Sequence, residues 1–118
     1  LNKDDSHYDD IQRMGNQIKE FKNIDGNAYN FVTVPLPDPI FDEDGLRLPA
    51  TYANFLITNN SVLVPIYNQP ENDKLALSAI KKAMPDYNII GIDCNALIKQ
   101  HGSLHCVTMQ LPKDSTTL

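Results

Sequence analysis

A chain of 118 residues with 42% apolar content has the material for one domain with a core. No apolar run approaches the ~20 residues needed to cross a bilayer. The net charge of −5 argues against a nucleic-acid partner, because that binding rests on clustered Lys and Arg.

The acid is uneven: residues 1–44 hold ten Asp and Glu against four Lys and Arg, and residues 45–118 hold five against six. Ser6 followed by Asp9 predicts a capping box, with Asp9 and Asp10 at the positive end of a helix dipole. Tyr8, Ile11, Met14, Ile18 and Phe21 recur at spacings of three and four, which predicts an amphipathic helix over about residues 7–22. Asp25-Gly26-Asn27 reads as a turn, and the aromatic and β-branched run Tyr29 to Val34 as a strand ended by Pro35, Pro37 and Pro39. Leu36 to Pro49 is a loop with an acidic tip at Asp42-Glu43-Asp44-Gly45, whose spacing fits a turn and not an EF-hand.

Thr51 to Thr58 and Val62 to Tyr67 predict two strands joined at Asn59-Asn60, a pair that tolerates left-handed backbone. Pro65 predicts an edge position or an early end for the second of them. Pro70 opens a helix with the stripe Leu75, Ala76, Ala79, Ile80, Ala83 and Met84, and Pro85 stops it. Asn88 to Ile92 is a short strand, and Asn95 to Lys99 a single helical turn. Residues 51–92 thus spell strand-strand-helix-strand, and residues 7–34 spell the back half of such a unit. With Leu1 in place of an initiator methionine, we expect a fragment of about two units from a larger array with open edges.

The segment His101 to Gln110 carries the chemistry. A glycine before a β-branched run predicts a turn that delivers the next side chains to a strand end. Cys106 in that place is a candidate nucleophile, since a thiolate in a polar, partly open setting attacks readily; the competing reading is a small buried apolar side chain. On a strand, His105 would point away from Cys106. His101, His105 and Cys106 could in principle hold zinc, but lack a partner set. Cys94 and Cys106 are too few for a disulfide framework and too far apart for a redox motif, so we expect reduced thiols in a cytoplasmic protein.

Three stretches resemble the C-terminal part of the agmatine deiminase and bacterial-type peptidyl-arginine deiminase family: Leu48 to Phe55, Val62 to Pro65 and Gly102 to Gln110. Asp4 to Tyr8 and Pro35-Leu36-Pro37 extend the resemblance to about residues 4–112. It implies a five-bladed pseudo-symmetric α/β propeller of strand-strand-helix-strand units, and hydrolysis of a guanidinium carbon–nitrogen bond with release of ammonia. It also implies Cys106 as nucleophile through an amidino-thioether, Asn54 as an active-site asparagine that positions it, and Gly102 as a substrate-side position. The Leu48 to Phe55 run favours the agmatine branch over the peptidyl-arginine branch.

The family's general acid/base histidine, in a His-x-Asp motif, and its guanidinium-gripping carboxylates would lie upstream of this chain. His7-Tyr8-Asp9 has the letters of that motif but falls at a helix start, after the family position. The resemblance therefore implies a piece that is inactive by itself and that works with the remaining N-terminal part of the same enzyme, in an oligomer or alone. No metal or organic cofactor is implied. The rival is a non-catalytic assembly module that keeps the fold.

Overall fold

The computed structural model describes residues 3–111, which divide at Thr33 into two compact units. In the first, helix α1 spans Tyr8–Lys19. Its cap is His7, not Ser6, and His7 makes no side-chain capping bond. Asp5 accepts the His7 backbone N–H at 2.9 Å instead. Asp9 and Asp10 occupy the first turn and Lys19 the last, as the dipole favours. The helix stops short of residue 22 because Lys22 bridges Ala28 across the Asp25-Gly26 turn. Asn23 Oδ1 closes that turn by accepting the N–H groups of Asp25 and Asn27 at 3.0 and 2.9 Å.

The strand expected from Tyr29 to Val34 does not form. Its composition suits a pleated surface, but among the described residues no second strand lies alongside to supply a ladder. Phe31 turns to α1: a Cβ on Gly15 would sit 4.0 Å from its ring, and Lys19 Nζ lies 5.6 Å from the ring centroid.

The second unit is a mixed α/β layer with strand order β1-β2-β3: β1 Leu56–Ile57, β2 Ser61–Ile66 and β3 Asn88–Asp93, with helix α2 Pro70–Ala83 crossing from β2 to β3. β1 pairs antiparallel with β2 and β3 pairs parallel, so the chain order is strand, strand, helix, strand. The Asn59-Asn60 hairpin forms without left-handed backbone at either asparagine. Thr58 closes it: its N–H and hydroxyl both reach the Ser61 carbonyl, at 2.8 and 2.9 Å. β1 is far shorter than the expected Thr51 to Thr58, because the chain before it turns inward to bury Tyr52.

Pro65 lies in the central strand, not at an edge. The register explains its tolerance. Asn60 and Ile66 accept from Asn88 and Cys94, so even-numbered residues face β3 along the ladder. Pro65 directs its missing donor the other way, toward β1, whose pairing ends at Leu63.

Pro70 occupies the first turn of α2, where its absent N–H costs nothing. Lys81 Nζ ties down the turn after the helix, donating to the carbonyls of Pro85 and Tyr87 at 2.9 and 2.8 Å. The helix buries Asp73, Ala76 and Ile80, while Leu75 and Ala83 of the expected stripe face outward. Ala76 and Ile80 join Leu48, Tyr52, Val62, Val64, Tyr67, Cys94, Ile98 and Leu104 in the core. The Asp42 turn takes the N–H groups of Asp44 and Leu46 on one carboxylate oxygen, at 3.0 and 2.8 Å, with Gly45 left-handed at φ +79°.

No helix among the described residues is long and apolar enough to cross a membrane.

Candidate active site

After β3 the chain makes a 3₁₀ turn at Leu97–Gln100, ended by His101 in the left-handed region at φ +63°. It then returns over the core through buried Ser103 and Leu104. A second 3₁₀ turn follows at His105–Val107. The β-branched run around Cys106 is therefore a turn, not a strand, and the expectation that His105 points to the opposite face of a strand falls with it. Cys106 N–H bonds the Ser103 carbonyl at 3.1 Å, which closes the turn tightly enough to present the thiol at the surface. Gly102 lies against it: a Cβ there would come within 3.3 Å of Cys106 Cβ and 3.8 Å of Sγ. A side chain here would crowd the cysteine, and glycine leaves the two chain segments room for this close approach.

Asn54 comes to the same place from the segment before β1. Its Nδ2 lies 3.4 Å from Cys106 Sγ, and its Oδ1 accepts the His105 backbone N–H at 2.7 Å. The backbone donor helps fix which way the amide faces: Oδ1 takes the His105 N–H, Nδ2 lies nearer the sulfur, and the thiol also reaches Oδ1 at 3.7 Å. The Asn54 carbonyl also accepts from His105 N–H, at 3.3 Å. The sequence offered no sign of this, since the part of His105 that matters is its backbone.

The thiol of Cys106 is held below the ordinary cysteine range, first by the Ser103 backbone acting on the sulfur and then by the Asn54 side chain. The other cysteine is its opposite. Cys94 is wholly buried and reduced, and burial pushes its thiol up, helped by the charge of Asp93. A hollow of about 390 Å³, lined by Asn54, His105, Ala53, Phe55, Ile57 and Gln110, opens at Asn54. Among the described residues no three His, Cys, Asp or Glu side chains converge as metal ligands, so His101, His105 and Cys106 do not form a zinc set.

Beneath the site runs a buried polar network that the sequence did not disclose. Asp73 accepts from Tyr52 OH at 2.6 Å, from Tyr67 N–H at 3.1 Å and, on its second oxygen, from Gln69 N–H at 2.9 Å. The Tyr52 and Tyr67 rings meet edge to face at 5.6 Å. Burial first, then Asp73, raises the Tyr52 hydroxyl far above the usual phenol range; burial also raises Tyr67. The available signal was a pair of tyrosines in apolar segments, whose hydroxyls need partners once buried.

The family described as Porphyromonas-type peptidyl-arginine deiminase matches residues 1–112. This chain belongs to that family. A crystal structure provisionally described as a peptidyl-arginine deiminase is 50% identical, with a TM-score of 0.89 over 94% of this chain and 33% of that one. The Campylobacter jejuni agmatine deiminase solved with substrate bound is 36% identical, with a TM-score of 0.78 over 89% of this chain and 29% of its own. A Marinomonas sp. protein with a provisional agmatine deiminase name is 34% identical over 104 residues, 75% of this chain and 28% of that protein. The deiminase-family chain therefore spans about a third or less of the length of the relatives it matches. Its mixed α/β fold with a three-stranded sheet is that of the corresponding part of solved deiminases.

Proposed function

We propose that this chain is the nucleophile-bearing, C-terminal part of a guanidine deiminase, contributing one face of the active site in a five-bladed propeller. The observation that supports it is the exposed Cys106 thiol, lowered in pKa and held by the Asn54 amide, which itself lines an open hollow. In this reading the Cys106 thiolate bonds to the guanidinium carbon. The tetrahedral adduct expels ammonia, with a proton supplied to the leaving nitrogen, and leaves an amidino-thioether. Water then adds to the same carbon, and collapse of the second adduct returns the thiolate and a ureido product. Asn54 steadies the sulfur's charge while His105 N–H keeps the amide turned toward it. The proton-transfer histidine and the carboxylates that grip the guanidinium belong to the rest of the enzyme, so the isolated chain is inactive. The full protein needs no cofactor beyond water, and two free thiols suit a cytoplasmic setting.

Agmatine, converted to N-carbamoylputrescine, is the substrate that the Leu48 to Phe55 run and the agmatine deiminase relatives favour. A second reading, a peptide arginine converted to citrulline, is favoured by the 50% identity to the peptidyl-arginine deiminase-like structure. Ammonia release by the full-length protein, measured with agmatine, with free arginine and with a peptide ending in arginine, decides between them. Turnover of agmatine alone supports the first reading, and turnover of the peptide the second. No turnover of any of the three favours a non-catalytic module and rejects both.

A further inference from the structure

The two segments that meet at the thiol are tied to one buried atom. Thr51 stands three residues before Asn54, and Ser103 three residues before Cys106. The Tyr67 hydroxyl lies 3.0 Å from the Thr51 backbone nitrogen, 3.0 Å from the Thr51 carbonyl and 3.0 Å from Ser103 Oγ. A phenol oxygen accepts two hydrogen bonds and donates one. The Thr51 N–H can only donate and its carbonyl can only accept, so the Ser103 hydroxyl is the remaining donor. All the capacity of Tyr67 OH is then spent on joining these two segments.

From each anchor a short path leads to the site. The Thr51 hydroxyl accepts the Ala53 N–H at 3.2 Å, setting the turn into Asn54. The Ser103 carbonyl accepts the Cys106 N–H at 3.1 Å, setting the turn that presents the thiol. Tyr67 is itself fixed from behind, its backbone N–H on Asp73 and its ring against Tyr52. Tyr67 and Ser103 are each only 2% exposed, so water does not compete at this junction.

We propose that Tyr67 is a positioning residue, whose hydroxyl sets the distance between the Asn54 amide and the Cys106 sulfur by clamping Thr51 to Ser103. This rests on Cys106 as the nucleophile, yet it concerns a residue that never meets substrate. Removing the hydroxyl frees both segments to shift, and a shift on the order of 1 Å at a reacting pair costs up to about 10²-fold in rate.

The test uses the full-length protein with Tyr67→Phe, Ser103→Ala and, as a control, Tyr52→Phe. The control breaks the other phenol's bond to Asp73 and leaves the Thr51–Ser103 clamp alone. Two readouts are taken: the pH dependence of Cys106 alkylation, followed by mass spectrometry of its peptide, and the split between kcat and KM. Tyr67→Phe is expected to move the alkylation midpoint upward and to lower kcat about 10- to 100-fold, with KM within about twofold. Ser103→Ala should move both readouts in the same direction by less, and Tyr52→Phe should leave the midpoint in place. A folded Tyr67→Phe with the wild-type midpoint and kcat overturns the proposal, as does an equal shift in Tyr52→Phe. If Tyr67→Phe does not fold, Ser103→Ala decides by the same criteria. Should Cys106→Ala keep its turnover, the catalytic reading falls, while the alkylation comparison still decides whether Tyr67 governs the thiol.

Discussion

Two cysteines twelve positions apart show how one residue type serves two ends. Cys94 follows β3 directly, its N–H on the Ile66 carbonyl at 3.0 Å, so the sheet register drives its side chain into the core among Ile98, Val64 and Ala76. Cys106 sits in a 3₁₀ turn hung from Ser103, so its side chain stands in the open beside an amide donor. The first is surrounded by apolar atoms that disfavour charge, and the second by donors that favour it. What separates them is the backbone path between residues 94 and 106, which dives once through the core at Ile98 and returns through Ser103 and Leu104. A thiol's reactivity here is a property of chain direction.

The sharpest break of this contrast is chemical. In the proposed function, Cys106→Ala in the full-length protein lowers turnover by at least about 10⁴-fold, the scale seen when a covalent nucleophile is removed. Its thermal midpoint should stay within about 1 °C of wild type, because an exposed thiol contributes little packing. Steady-state kinetics with a melting curve checks both. Next is the ratio of alkylation rates. Iodoacetamide should label Cys106 about 10³-fold faster than Cys94, since the buried thiol reacts only when the domain opens. Peptide mapping over time measures the ratio, and comparable rates would dissolve the comparison.

Smaller effects concern stability. Asp73→Ala leaves the Tyr52 hydroxyl and two backbone N–H groups without an acceptor in a buried place. It should cost about 3–5 kcal/mol in denaturant unfolding, and an Asn in its place should recover part of that. Cys94→Ser inserts a hydroxyl among apolar neighbours and should cost about 1–3 kcal/mol, without altering Cys106 alkylation. If Cys94→Ser slowed that alkylation, the two thiol environments would be coupled and not independent.

How much of this was legible depended on whether the signal was local. Pro70, the apolar spacing after it and Pro85 placed α2, and the short apolar runs placed β2 and β3, because each element answers to its own periodicity. Tyr29 to Val34 and residues 105–107 have strand-like composition as well. Composition records compatibility with a pleated surface but not whether a neighbouring strand is present. The same holds on α1: its apolar stripe predicts a helix correctly, yet none of its residues is buried, since periodicity marks a face and not its partner. At the site, Cys106 and Asn54 were read from the sequence through a family resemblance, and the fold brings their side chains to 3.4 Å. Tyr67, Ser103, Tyr52 and Asp73 were not, because their bonds join residues up to 36 positions apart. Only the tertiary path makes such pairs neighbours.

The account turns on a covalent bond at one sulfur. Rapid quenching of the full-length protein during turnover of agmatine, or of an arginine-terminated peptide if that is the substrate, followed by peptide mass spectrometry, tests it most directly. An amidino adduct on the Cys106 peptide, appearing at the first turnover and lost in Cys106→Ala, is the predicted result. Full turnover with Cys106 unmodified, or an adduct carried by another residue, would contradict it.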